Sequence, residues 1–322
     1  MKHPLSTAAL LLGGALSAPL CGAQAVWSGA NISQSGTGNQ SFIEQRNNGD
    51  EVLATITQVG NRNMVGDPAN GVVGLLQYDS PSMQADINQR GDDNMASVAQ
   101  RDGWHDLIFL NQSGTANTAA MRLDSYSESV IRVQQTGQRN IFDTTAGNIG
   151  ASGFQVSQTG SDNVVTIAQT GTGYGGPDVT QNGSYNRALV ERNQAVYSGL
   201  GIDQLGTGNE ATVFQNGTYA SRPTLISQNG TANMALSTNS GERSGGTIAQ
   251  TGDGNQASAT QSFNDNASNI TQNGSLNTAT VAQTGLAGLN DLNIATITQQ
   301  GNGFSASITQ NGAGNHAVIY QH

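Results

Sequence analysis

From Ser28 onward, aliphatic and polar residues alternate in short runs that recur every 22 to 24 residues. In one run Ala295, Ile297 and Gln299 share a parity, and Thr296 and Thr298 take the other. A period of two, rather than 3.6, predicts strands, and the abundance of Thr, Val and Ile in these runs agrees. Each unit opens with Gln-x-Gly-x-x-Asn, preceded by a branched aliphatic two residues before the Gln. This pattern starts at Gln34, Gln58, Gln89, Gln112, Gln135, Gln158, Gln181, Gln204, Gln228, Gln250, Gln272 and Gln310. A second half follows each Asn and reads Asn-x-small-x-aliphatic-x-Gln, as in Asn94-Ala96-Val98-Gln100 and Asn277-Ala279-Val281-Gln283. Gly and Asn tolerate positive φ, so each Gly-x-x-Asn predicts a tight turn. The chain therefore reads as strand, turn, strand, turn. Two steps are longer than the rest, 31 residues from Gln58 to Gln89 and 38 from Gln272 to Gln310.

A unit of this size cannot bury a face alone, but stacked copies can. The predicted fold is all-β, a β-solenoid of about thirteen strand-turn-strand rungs with two facing parallel sheets in a cross-β arrangement. At ~4.8 Å per rung such a stack stands on the order of 60 Å tall. The position two before the first Gln reads Ile32, Ile56, Ile87, Leu110, Val133, Val156, Val179, Ile202, Ile226, Ile248 and Ile270, which predicts an inward column. The Gln shares that parity. A lone buried amide costs roughly 1–3 kcal/mol, whereas stacked amides bond to one another. Two structural ladders are expected. One runs through Gln34, Gln58, Gln89, Gln112, Gln135, Gln158, Gln181, Gln204, Gln228, Gln250 and Gln272. The other runs through Asn39, Asn63, Asn94, Asn117, Asn140, Asn163, Asn186, Asn209, Asn233, Asn255 and Asn277. A second Gln column is less regular, with breaks expected at Ala69, Leu123, Ala146 and Arg192. Irregular stretches are expected around 66–80, where Asp67 and Pro68 spoil a strand, and around 286–292.

Composition sharpens this picture. Charged residues are 11 % and aromatics 5 % of the 322 residues, against 42 Gly, 33 Asn and 30 Gln. A conventional globular core lacks the large side chains it needs, and charge-driven disorder lacks the charge. A net charge of −10, with Lys2 the sole lysine, argues against nucleic-acid binding. Residues 1–25 read as a signal peptide: Lys2, an apolar run from Leu5 to Leu16, and Ala23-Gln24-Ala25 as the cleavage site. The alternative is a lipoprotein modified at Cys21, for which Pro19-Leu20 makes a poor context. Residues 26–322 form the repeat region, and no stretch in it is apolar enough for a membrane helix. Cys21 is the one cysteine, so no disulfide framework is expected. His105, His316 and His322 have no metal-ligand spacing, and Asp92-Asp93 lacks the nine-residue calcium repeat. No catalytic residue, cofactor or metal is expected, and the chain does not read as an enzyme.

The unit Gln-x-Gly-x-x-Asn-x-Ala-x-x-x-Gln resembles the curlin repeat of bacterial curli fibre subunits. Residues 250–261, 89–100, 204–215 and 272–283 match it at every fixed position. The resemblance implies a secreted, self-assembling amyloid subunit that leaves through an outer-membrane export pore and works with a nucleator subunit in adhesion and biofilm. This chain holds more than twice the usual number of units, and its repeats start where relatives carry a polar export segment. A different class, a monomeric β-solenoid that binds a surface as an ice-binding protein or an adhesin stalk, would need a uniform outward face. The outward column Ser33, Thr57, Asn88, Asn111, Gln134, Ser157 is mixed. An adhesin stalk is also expected to carry a head domain, and none is read within residues 26–322.

Overall fold

The computed structural model describes residues 28–46, 51–66, 74–79, 81–219, 222–285 and 291–322. The expected signal peptide, Asp67, Pro68, Ala69 and most of the 286–292 stretch lie outside the described residues.

Alternation of period two becomes strand throughout, and no helix occurs among the described residues. The chain winds as a β-solenoid. A first-sheet strand leads through a Gly corner to a second-sheet strand, and a second corner leads to the next level. The first sheet has thirteen parallel strands, from Gly29–Ser35 to His316–Gln321. The second sheet runs from Gln40–Ser41 and Ile43–Arg46 to Ser305–Asn311. The described strands thus make twelve complete rungs and one further first-sheet strand. Register is residue over like residue, with Val133 beside Val156 and Val156 beside Val179, and likewise Gln135 beside Gln158 and Gln158 beside Gln181.

The inward parity of both sheets forms one thin core. Ile87, Leu110, Val133 and Val156 on the first sheet face Ala96, Val98, Ala119 and Val165 on the second, all buried. Small residues opposite branched ones keep the two sheets close enough for amides of one to reach the backbone of the other. Ile32 belongs to the aliphatic column but is 45 % exposed, since it lies in the first rung.

The Gly corner explains the fixed glycine. From Gly36 to Gly301 these residues take φ between 109° and 132°, a region that only glycine occupies readily. They also stack on one another, so that a Cβ on Gly160 would lie 1.9 Å from the Gly183 carbonyl oxygen.

Two parts of the sequence reading need correction. The expected loop over 66–80 contains the strand Leu75–Tyr78, which pairs with Ile43–Arg46 and with the strand Met95–Arg101. The second-sheet level of the 31-residue step is thus made by Met64–Val65 and Leu75–Tyr78, which both pair in register with Met95–Arg101. Gln77, not Ala69, fills the second Gln column there, so the expected break at Ala69 is absent. The other correction concerns Gln310, which starts a Gln-x-Gly-x-x-Asn motif yet lies in the second sheet over Gln283. Gln299 takes the first-sheet place, over Gln272.

Candidate functional site

The first-sheet Gln side chains form a continuous ladder. Gln34 Nε2 donates to Gln58 Oε1 at 2.6 Å, Gln135 to Gln158 at 2.9 Å, Gln158 to Gln181 at 3.0 Å and Gln181 to Gln204 at 2.8 Å. The same bond joins Gln58 to Gln89, Gln89 to Gln112, Gln112 to Gln135, Gln204 to Gln228, Gln228 to Gln250 and Gln250 to Gln272. It goes on through Gln272 to Gln299 and Gln321. The other Nε2 proton crosses the core, as from Gln158 to the Ile141 and Asn163 carbonyls at 3.0 and 3.1 Å. Each buried amide is thereby satisfied by its neighbours in the stack.

The Asn ladder stands at the Gly corner and donates the other way. Asn140 Nδ2 gives to Asn117 Oδ1 at 3.0 Å, and the Asn140 backbone N–H shares that acceptor at 3.1 Å. Asn140 Nδ2 also caps the Gly160 carbonyl of the following rung at 3.0 Å. Bonds of this kind link Asn39, Asn63, Asn94, Asn117, Asn140, Asn163, Asn186, Asn209, Asn233, Asn255 and Asn277 in order. The column ends there, because Phe304 N–H takes the Asn277 Oδ1 at 2.9 Å. At the second corner an Asn column begins instead, from Asn266 through Asn293 to Asn315.

The second Gln column is interrupted. Gln45 donates to Gln77 and Gln77 to Gln100, but Leu123 and Ala146 follow, and Gln100 Nε2 is buried without a partner. Arg192 is only half a break. Its Nε donates to Gln215 Oε1 at 2.9 Å and its other nitrogens to the Gly175 and Ser198 carbonyls. Arginine has no acceptor to offer, so Gln169 Nε2 on its other side has no partner. Burial pulls the Arg192 guanidinium down to about 10. From Gln261 through Gln283 to Gln310 the column is whole again.

Sequence reasoning missed Gln77, Gln299, Gln310 and Gln321 as ladder members. Spacing carried a signal for the first: Gln77 precedes Gln89 by 12, as Gln100 precedes Gln112. It also missed Asp106 at the second corner, 2 % exposed, whose Oδ1 accepts the Ser129 N–H at 3.1 Å. Burial pushes its carboxyl up to about 7. On the outer surface Arg62–Asp93 and Arg139–Asp162 are bidentate pairs between rungs, which hold both carboxyls below their ordinary value.

The repeated Gln, Gly and Asn columns are the decisive feature, and one known pattern has them. Residues 28–60 match the family model of the curlin associated repeat. The matched stretch covers the first rung, and its strand Gly29–Ser35 pairs residue for residue with Leu53–Val59, the next first-sheet strand. The later rungs carry the curlin-like Gln, Gly and Asn in the same columns. No curated protein matches the chain. Among the described residues no helix is long and apolar enough to cross a membrane. What this arrangement offers chemically is hydrogen-bonding groups repeated along one axis, which suits recognition of a like surface.

Proposed function

We propose that the protein is a structural subunit of an extracellular curli-like amyloid fibre that grows end to end. The observation that carries this reading is the Gln ladder that reaches both terminal strands of the first sheet, from Gln34 to Gln321. Gly29–Ser35 and His316–Gln321 close that sheet, each with a single neighbour in the strand order. Such a strand presents a row of N–H and C=O groups that template further pairing. A partner that continues the amide columns is favoured over one that does not, and another copy of this chain brings such columns, which begin at its Gln34 and Asn39.

The remaining parts of the reading follow from the curlin-like repeat and the N-terminal sequence. Residues 1–25 direct secretion, an outer-membrane pore passes residues 26–322, a nucleator subunit starts growth, and the fibre serves adhesion and biofilm matrix at the cell surface. The ladders of Gln34 to Gln272 and Asn39 to Asn277 act as structural elements. No catalytic residue, cofactor, metal or nucleic acid is required for this role.

The test is assembly by the chain lacking residues 1–25. Diluted from denaturant, it forms fibres after a concentration-dependent lag that preformed fibres abolish, with a meridional reflection near ~4.8 Å. A chain that stays monomeric for days at high concentration overturns the reading.

A further inference from the structure

The two ends of the solenoid are not related by simple continuation. At the C-terminal end the last corner joins a second-sheet strand, Ser305–Asn311, to a first-sheet strand, His316–Gln321. At the N-terminal end the first corner joins a first-sheet strand, Gly29–Ser35, to second-sheet segments Gln40–Ser41 and Ile43–Arg46. Yet the two segments carry the same residues at most inward positions and at the fixed positions of the corner. Ala30, Ile32, Gln34, Gly36, Gly38 and Asn39 recur as Ala306, Ile308, Gln310, Gly312, Gly314 and Asn315. Beyond the Asn, Ile43 and Gln45 recur as Ile319 and Gln321. The corners share their backbone too. Gly36 and Gly38 have φ of 117° and 72°, and Gly312 and Gly314 have 108° and 70°.

From this match we infer that consecutive copies in the fibre join with a half-turn about the solenoid axis, so that the first sheet of one copy continues as the second sheet of the next. The inference rests on the fibre reading above and specifies its junction. In this arrangement Gly29–Ser35 of the incoming copy lies on Ser305–Asn311, and Gln40–Arg46 lies on His316–Gln321. Both faces are covered at once, because the corner of one copy sits on the corner of the other.

The hydrogen-bonding groups agree. Gln310 Nε2 and Gln321 Nε2 spend one proton each on the Ile294 and Ser305 carbonyls. Elsewhere in the columns the other proton goes to the next Gln, and here the next acceptors are Gln34 and Gln45. Asn315 takes its place on Asn293 as every ladder Asn does, with its N–H and Nδ2 on Asn293 Oδ1 at 3.0 and 3.1 Å. Its own Oδ1 then receives Asn39. Without the half-turn Gly29–Ser35 lies on His316–Gln321, Ser305–Asn311 lacks a strand on its outer side for one level, and Asn39 has Phe304 rather than an Asn in the column beneath it. The interface is heterologous and does not close, which gives a filament rather than a ring.

Disulfide trapping in preformed fibres decides the junction. The chain lacking residues 1–25 has no cysteine, because Cys21 is the sole one. Ser33 and Thr309 face outward and lie level in the half-turn junction, whereas Ser33 and Tyr320 lie level without it. Cα atoms one rung apart, at ~4.8 Å, are within disulfide reach. Oxidised fibres of Ser33→Cys/Thr309→Cys are expected to run as covalent multimers on denaturing gels, and those of Ser33→Cys/Tyr320→Cys as monomers. Linkage through the second pair, through both or through neither overturns the half-turn and leaves the fibre reading standing. A parent chain that forms no fibres overturns the fibre reading and the junction with it.

Discussion

A buried primary amide is stable at Gln158 because the rungs on either side supply what water would. Its Nε2 reaches Gln181 Oε1 and two carbonyls, and its Oε1 receives Gln135. Gln158→Leu keeps the volume but takes the acceptor from one Gln135 Nε2 proton, whose partner proton stays on the Thr118 and Asn140 carbonyls, and leaves Gln181 Oε1 without its donor, at roughly 1–3 kcal/mol for each unsatisfied group. Hydrogen exchange in the strands Val130–Gln138 and Pro177–Ser184 is expected to speed up, and unchanged protection there would contradict the ladder's energetic role. The converse change lies at Arg192, buried without a carboxylate beside it. Arg192→Gln gives Gln169 Nε2 an acceptor, keeps a donor for Gln215 and removes a buried charge. Slower exchange in the strands Val164–Thr170 and Arg187–Asn193 is the expected result. Asp106 adds a pH dependence. Its carboxyl moves from 3.8 to about 7 on folding, so the folded chain holds a proton that the unfolded chain loses. Its contribution to stability is complete below about 3.8 and falls away as pH rises to about 7. Protection around residues 104–108 is expected to fall across that window in the parent chain and stay level in Asp106→Asn.

The strands were legible in the sequence because in-register stacking gives each recurrent residue type one position in space. Gln112, Gln135 and Gln158 recur at 23 residues because each sits on the last. Legibility failed where the period carried two meanings. The halves of a unit are so alike that Gln310 shows the first-half motif while occupying the second-half column. In the 31-residue step, a count forward from Gln58 led to Ala69, because the extra residues come before Leu75–Tyr78, which puts Gln77 over Gln100. The second corner was illegible for a different reason: its column changes from Asp106 to Ser129 to Ser152, so no residue type marked it. The first corner, in contrast, makes a sharp prediction from two of its glycines. Gly160 has φ of 114° and no room for a Cβ, whereas Gly208 has φ of 66° and nothing within 4 Å of where one would lie. Ala116 and Ala232 already hold φ of 57° and 54° in the Gly208 column. Gly160→Ala is expected to lower stability, read from the denaturation midpoint, by more than the ~1–3 kcal/mol of backbone strain alone. Gly208→Ala is expected to cost about 1 kcal/mol or less. Equal effects would mean that crowding at the stacked glycines does not limit the corner.

At the scale of the whole molecule, the proposed end-to-end growth draws on the same kind of bonds as folding, and a variant that separates the two tests the proposal. In these parallel sheets the backbone groups of alternate residues point to opposite neighbours. Thr278 N–H donates forward to the Phe304 carbonyl, so Thr278, Thr280 and Ala282 face the next rung. Ser305, Ser307 and Thr309 hold the equivalent places in the second-sheet strand that ends the stack, as their pairing with Thr278, Thr280 and Ala282 shows. Their N–H groups point out of the end of the second sheet, where the proposed junction places the next copy, and none pairs with another described strand. Ser307→Pro therefore removes a donor from growth without removing one from the fold, as proline is tolerated at a sheet edge and not inside a sheet. Ser258 occupies the same column two rungs earlier, where Ser258→Pro takes a donor from an interior pair. The expected outcome is a Ser307→Pro chain that folds with parental protection, adds to growing fibre ends and slows further elongation when mixed in at low ratio. Ser258→Pro is expected to lose protection in its own rung and to leave elongation of the parent chain unaffected. A Ser307→Pro chain that elongates at the parental rate would show that growth does not proceed through this edge.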